Sequence, residues 1–205
     1  MDVTGQFTLS LIGRIREGSE SGLSEFMEHY GSKLLVFINY KLGSKLRGKV
    51  EPEDVLQDFF LTLVKDRESF IGKIDDRGVQ RTLYRLVDNR IKDLYEHFFK
   101  TQKRDAHREV VERPRGQETG GFSFSQLQAS TSSFRRQIET KDEFLRLQGI
   151  LDSLADDEKE FFVLKYVEEC TNQEMADELD VSVSTIKRQA SALTTKVQLA
   201  RKRLG

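Results

Sequence analysis

The sequence has few of the residues that cross-link a chain or anchor it in a membrane. Its single cysteine, Cys170, excludes a disulfide within the chain. The histidines are scattered, without the close Cys/His spacing of a zinc site. No apolar run is long enough to span a bilayer, and the first residues lack the basic start and apolar block of a signal peptide. We therefore expect a cytoplasmic protein that holds neither a metal nor another cofactor.

Charge is balanced overall but separated along the chain. The net charge is -1, which argues against a protein that simply coats nucleic acid. Between residues 152 and 180, acidic residues dominate and the only basic ones are Lys159 and Lys165. From Ser182 to the end, every charged residue is basic. The C-terminal segment is therefore a candidate for local contact with an anionic partner.

Apolar residues recur at helical spacing nearly everywhere, and no strand or hairpin pattern is evident, so we predict an all-α fold. A first helix should cover residues 22–42, and a second should open at Pro52, because proline suits the first helical turn. A polar segment rich in Ser, Thr, Gln and Gly predicts a flexible linker. The predicted organisation is a helical domain over residues 1–102, a linker over 103–140 and a second small helical domain over 141–205.

The C-terminal domain contains the pattern of a helix-turn-helix. Thr171-Asn172-Gln173-Glu174 is a capping box, which starts a helix that should end near Asp180. Ser182 can then cap a second helix with a continuous apolar stripe. Its opposite face carries short hydroxyls and cations, which suit base-edge and phosphate contacts in a major groove. The alternative is an amphipathic hairpin with a solvated basic face. The candidate DNA-binding residues are Ser182, Ser184, Thr185, Lys187, Arg188 and Ser191.

Several segments resemble the sigma-70 family of bacterial RNA polymerase sigma factors. Leu151-Asp152-Ser153-Leu154, residues 158–168 and residues 171–187 resemble its fourth conserved region. Residues 51–60 are similar to the acidic helix start of its second region, and residues 83–93 to its promoter-melting helix. The chain has no room for the family's first and third regions as full domains. It therefore resembles the extracytoplasmic-function (ECF) subgroup.

The resemblance implies that an acidic helix start docks on the clamp helices of the largest polymerase subunit. Carboxylates at a helix N-terminus complement the helix dipole and offer acceptors to arginines of a partner. The alternative is that these carboxylates only cap their helix. The positions implied in polymerase binding are Glu53, Asp54, Gln57, Asp58 and Phe59.

The resemblance also implies that the helix containing residues 83–93, with the loop before it, holds separated minus-ten DNA. Aromatic rings can stack on flipped bases, and asparagine can read a base edge. The positions implied are Phe70, Arg81, Tyr84, Arg85, Asn89, Arg90 and Lys92. Two residues depart from the family pattern, since Thr82 stands where tryptophan is common and Asp88 where arginine is common. Both changes predict weak promoter melting.

These features predict a sigma factor rather than an enzyme. The resemblance implies as partners core RNA polymerase, through its clamp helices and flap region, and promoter DNA, with the helix-turn-helix on the minus-thirty-five element. Whether an anti-sigma factor binds the chain stays open, and no membrane insertion is expected. Two alternatives also stay open: a polymerase-independent helix-turn-helix regulator, and a sigma-like module that sequesters a partner.

Overall fold

The computed structural model describes residues 3–17, 19–74, 78–100 and 142–204. Every regular element in these ranges is helical, which confirms the predicted all-α class. The predicted linker, 103–140, lies outside the described residues. The elements in chain order are α1 (Val3–Arg16), α2 (Glu20–Arg47), α3 (Pro52–Lys65), α4 (Arg67–Gly72), α5 (Gly78–Tyr95) with a π-helical turn (Glu96–Lys100), α6 (Asp142–Ser153), α7 (Asp156–Phe162) with a π-helical turn (Val163–Val167), α8 (Asn172–Glu178) and α9 (Val183–Leu204).

The N-terminal half is organised around the long helix α2. The predicted helix over 22–42 lies within it, and the chain kinks just afterwards at Gly43. This residue has φ 58°, a left-handed conformation that glycine adopts without steric cost. The sequence patterns did not predict α1, which packs on α2 and buries Leu11 and Ile15.

Helices α3 and α5 complete the core of this half. α3 begins at Pro52, as predicted, and buries an apolar face that includes Leu56 and Phe60. α5 directs Leu83 and Val87 into the same core. The short helix α4, which lies between them in sequence, was not predicted. Among the described helices, none is long and apolar enough to cross a membrane.

The C-terminal half packs α6, α7, α8 and α9 around a second set of apolar side chains. Ile150, Phe162, Met175 and Ile186 are all fully buried there. The π-helical turn that extends α7 ends at Val167, and Glu169 then adopts a left-handed φ of 57° that redirects the chain toward α8. These helices place the start of α9 at the surface.

The two halves are in direct contact. Helix α2 packs against α6 and against the π-helical turn after α7. Buried apolar side chains from both halves form one continuous cluster among the described residues. The predicted division into domains over 1–102 and 141–205 stays a prediction.

Candidate nucleic-acid interface

Helix α8 begins with the predicted capping box. The Thr171 hydroxyl accepts a hydrogen bond from the amide of Glu174 at 3.2 Å. The Glu174 carboxylate in turn accepts from the amide of Thr171 at 2.7 Å. Two amides that would otherwise lack partners at the helix start are satisfied in this way. The box fixes where the first helix of the motif begins.

A four-residue turn then leads into α9. The Val181 amide donates to the carbonyl of Ala176 at 3.0 Å, and Asp180 takes a left-handed φ of 52°. Ser182 caps α9, because its hydroxyl accepts from the amide of Thr185 at 3.2 Å. The predicted helix-turn-helix is therefore present, with both of its helix starts capped by side chains.

Removing the hydroxyl of Thr171 should destabilise the C-terminal half. We expect Thr171→Ala to lower the free energy of unfolding by about 1 kcal/mol, because the amide of Glu174 loses its acceptor. Chemical denaturation followed by circular dichroism measures this change. Thr195→Ala is the matched control, since Thr195 is exposed in the interior of α9 and caps no helix. A Thr171→Ala protein as stable as the control would contradict the capping role.

Helix α9 has a buried stripe and an open face. Ile186, Leu193 and Val197 are buried, which fixes the rotation of the helix. On the other side, the predicted DNA-binding residues Ser182, Ser184, Lys187, Arg188 and Ser191 are exposed, and Thr185 is half-buried. The structure therefore brings all six residues to the beginning of one helix.

The cations of this face are available to a partner. Within the part of the chain that the structure describes, neither Lys187 nor Arg188 takes part in an ion pair. Farther along the helix, Lys196 instead pairs with Glu158 of α7. Among the described residues, the N-terminal turns of α9 thus present cations outside any ion pair together with hydroxyl donors, a combination that suits DNA phosphates and base edges.

The acidic start of α3 lies at the surface of the other half. Asp54 is exposed, and Glu53 and Gln57 are partly exposed. Asp58 forms an ion pair with Arg90 of α5 at 2.7 Å. Phe59, by contrast, is only 7% exposed and packs beside Phe60, so the structure places it in the core rather than on the predicted polymerase-binding surface.

The predicted minus-ten residues fall into an exposed and a buried group. Arg85, Asn89, Arg90 and Lys92 are exposed along α5. The aromatic rings are not available in this arrangement, since Phe70 and Tyr84 are 4% and 2% exposed. An aromatic residue on an amphipathic helix suits a core as well as a stacking platform, so the assignment of Phe70 and Tyr84 to minus-ten DNA stays a prediction.

The two family departures also have defined surroundings. Thr82 is buried, and its hydroxyl donates to the carbonyl of Gly78 one turn earlier at 3.0 Å. This position therefore faces the protein interior. Asp88 forms an ion pair with Lys92 at 2.6 Å on the surface of α5. The anion thus neutralises one of the cations that the prediction assigns to DNA.

Arg81 contacts a carboxylate and a thiol of the C-terminal half. Its guanidinium contacts the Glu168 carboxylate at 3.4 Å and the Cys170 Sγ at 2.6 Å. Burial raises the pKa of Glu168, although the charge of Arg81 opposes this effect. Burial likewise raises the pKa of the Cys170 thiol to about 12, so the thiol is protonated and unreactive at neutral pH.

Sequence reasoning missed the role of Gln80 and of the chain around Val167. The Gln80 side chain donates to the carbonyls of Val167 and Glu168, at 3.4 and 3.3 Å. These partners are backbone atoms that carry no sequence signature.

The described residues contain no group of three or more His, Cys, Asp or Glu side chains placed to hold a metal ion.

Comparison with known proteins agrees with the geometry of the C-terminal half. Residues 144–204 match the family model for sigma-70, region 4. The match covers helices α6 to α9 and thus includes the helix-turn-helix. No curated protein matches the chain. The C-terminal half is therefore similar to region 4 of the sigma-70 family, which supports a DNA-binding role in transcription.

Proposed function

We propose that this protein is a sigma factor of the ECF type, which binds core RNA polymerase and directs it to specific promoters. The observation that carries the proposal is the exposed face of Ser184, Lys187 and Arg188 on a region 4 domain. Such a face supplies hydroxyl and cationic donors to a major groove, here the minus-thirty-five element. A role of this kind contributes binding energy and specificity, whereas the nucleotidyl transfer belongs to the polymerase.

The acidic start of α3 supports polymerase binding by the N-terminal half. Glu53 and Asp54 lie in the first turn of α3, where carboxylates are stabilised by the helix dipole. Their helix is held in place by a buried apolar face, so the carboxylates are presented on a rigid element. Fixed acceptors of this type suit arginines of a partner, which form charge-assisted hydrogen bonds. We assign this surface to the polymerase clamp.

The exposed cations of α5 support a second DNA contact. Arg85 and Asn89 lie one turn apart on the same exposed side of the helix, and Arg90 adjoins them. A cationic track beside an asparagine suits the backbone and base edges of single-stranded DNA. We assign this helix to the minus-ten element.

Reversing the charge of Asp54 tests polymerase binding. We expect Asp54→Arg to weaken binding to core polymerase at least tenfold, because it removes an acceptor and places a cation opposite the cations of the partner. The fold should be retained, since Asp54 is exposed. Affinity is measured by biolayer interferometry with immobilised core polymerase.

Glu68→Arg is the matched control for this experiment. Glu68 is exposed in the first turn of the neighbouring helix α4, so the variant makes the same charge change in the same half of the molecule. It should bind polymerase nearly as tightly as the natural protein. Equal binding by both variants would contradict the assignment of the α3 surface, and failure of the natural protein to bind would contradict the proposed function.

A further inference from the structure

A cavity lies between the kinked end of α2 and the last two turns of α5. It has a volume of about 420 Å³, and the buried side chains Leu42, Leu46 and Ile91 contribute to its lining. Small-molecule sites in proteins are typically clefts of roughly 300 to 1,000 Å³ with apolar walls and a few polar groups. The cavity therefore has the size and the apolar walls of a site for one small molecule.

The remaining side chains of the lining are mainly cationic. Lys41, Lys45 and Lys92 are exposed and line the cavity, together with Asp88. The Asp88 carboxylate pairs with Lys92 at 2.6 Å. Within the part of the chain that the structure describes, neither Lys41 nor Lys45 takes part in an ion pair. The lining thus has a surplus of positive charge, which favours an anionic ligand.

The kink of α2 lies between the two lysines that have no ion pair. Gly43 is itself part of the lining, and its φ of 58° interrupts the helix between Lys41 and Lys45. The Lys41 Nζ lies 5.5 Å from the centroid of the Phe37 ring, a cation–π contact that restrains the ammonium group. Two ammonium groups on one cavity can donate charge-assisted hydrogen bonds to the oxygens of neighbouring phosphates.

An exposed aromatic ring completes the lining. Tyr95 is 44% exposed at the end of α5, and its ring centroid lies 4.7 Å from that of Phe99. Aromatic rings beside cations suit nucleobases, because every base has a π-face that can stack. A ring for a base next to lysines for phosphates indicates a nucleotide rather than a simple inorganic anion.

We propose that this cavity binds one free nucleotide with two or three phosphates. The base stacks on Tyr95, and Lys41 and Lys45 bind the phosphates. The volume of about 420 Å³ lies near the lower end of the range for ligand sites, which suits a single nucleotide better than a strand.

The site is separate from the DNA contact that the proposed function assigns to α5. Arg85, Asn89 and Arg90, which carry that contact, do not line this cavity. Nucleotide binding therefore neither requires nor excludes a role as a sigma factor. Loss of the site would leave the proposed function intact.

Isothermal titration calorimetry of the full-length protein with ATP, ADP and AMP tests the site. Affinity should rise with the number of phosphates. We expect Lys41→Gln/Lys45→Gln to weaken ATP binding at least about tenfold, because hydrogen bonds to a charged ligand are lost. Tyr95→Ala should weaken it about tenfold through loss of stacking. Tyr95→Phe retains the ring and should bind ATP nearly as tightly as the natural protein.

Arg146→Gln/Lys202→Gln is the matched control, since it removes two exposed cations of the C-terminal half that do not line the cavity. Circular dichroism confirms that each variant retains its helices. Weaker ATP binding in the cavity variants, absent from the control, supports the site. No ATP binding by the natural protein, unchanged binding by the cavity variants or an equal loss in the control overturns it. A single-stranded oligonucleotide that depends on the same residues, bound where ATP is not, would assign the cavity to a strand and overturn the free nucleotide.

Discussion

Promoter binding should weaken by about 1 to 3 kcal/mol when Lys187 or Arg188 is replaced by alanine. Both side chains are exposed near the start of α9, on the face opposite the buried stripe that Ile186 begins. A side chain that reads a base should change the preferred sequence at one position. For a side chain that contacts a phosphate, alanine substitution should instead reduce the steepness of the plot of log affinity against log salt concentration by about one.

Fluorescence anisotropy with promoter duplex and polymerase, repeated at several salt concentrations, separates these two roles. Arg146→Ala is the matched control, because Arg146 is an exposed cation on α6 of the same domain, outside the helix-turn-helix. Its loss should leave affinity and salt dependence nearly unchanged. If Lys187→Ala and Arg188→Ala both behave like this control, α9 does not contact DNA.

Phe162→Ala should destabilise the region 4 domain by about 3 to 5 kcal/mol. The ring is fully buried, and its centroid lies 5.2 Å from that of Tyr166. Truncation removes apolar contact area and leaves a cavity that the surrounding helices cannot fill completely. Since domains are stable by only about 5 to 15 kcal/mol, we expect the helix-turn-helix to be largely lost at elevated temperature.

Urea unfolding followed by circular dichroism measures this loss of stability. Leu145→Ala is the control, because Leu145 is 55% exposed on α6 and its truncation removes little buried apolar contact area. That change should alter stability by less than about 0.5 kcal/mol. Similar losses in both variants would contradict the core position of Phe162.

The features of the fold that could be predicted from the sequence depend on interactions between residues close together in the chain. Thr171 and Glu174 satisfy each other three residues apart, and Pro52 marks a helix start by its own geometry. The stripe through Ile186 and Leu193 likewise follows from helical periodicity. Each of these signals needs only neighbouring residues, which is why the helix-turn-helix could be located before its structure was known.

The parts that were missed depend on tertiary contacts. Tyr84 binds a backbone carbonyl 83 residues away, and no residue pattern encodes that pairing. Phe59 and Phe70 were assigned to binding surfaces, yet both lie in the core, because periodicity alone does not say which aromatic residues a neighbouring helix covers. The docking of the two halves could not be predicted, since it joins segments that are each consistent with a free surface.

The runner-up function is a sigma-like module that binds polymerase without directing transcription. The ion pair between Asp88 and Lys92 favours it, because the pair neutralises part of the cationic track on α5. This alternative shares the polymerase-binding surface around Asp54. It differs from the proposed function only in whether transcripts are made.

Run-off transcription therefore tests the central claim most directly. Purified core polymerase is supplied with genomic fragments of the source organism, with and without the full-length protein. The account predicts new transcripts whose start sites share two spaced upstream elements, and their loss with the Lys187→Ala/Arg188→Ala protein. No new transcripts, from a polymerase that demonstrably binds the protein, would contradict the assignment as a sigma factor.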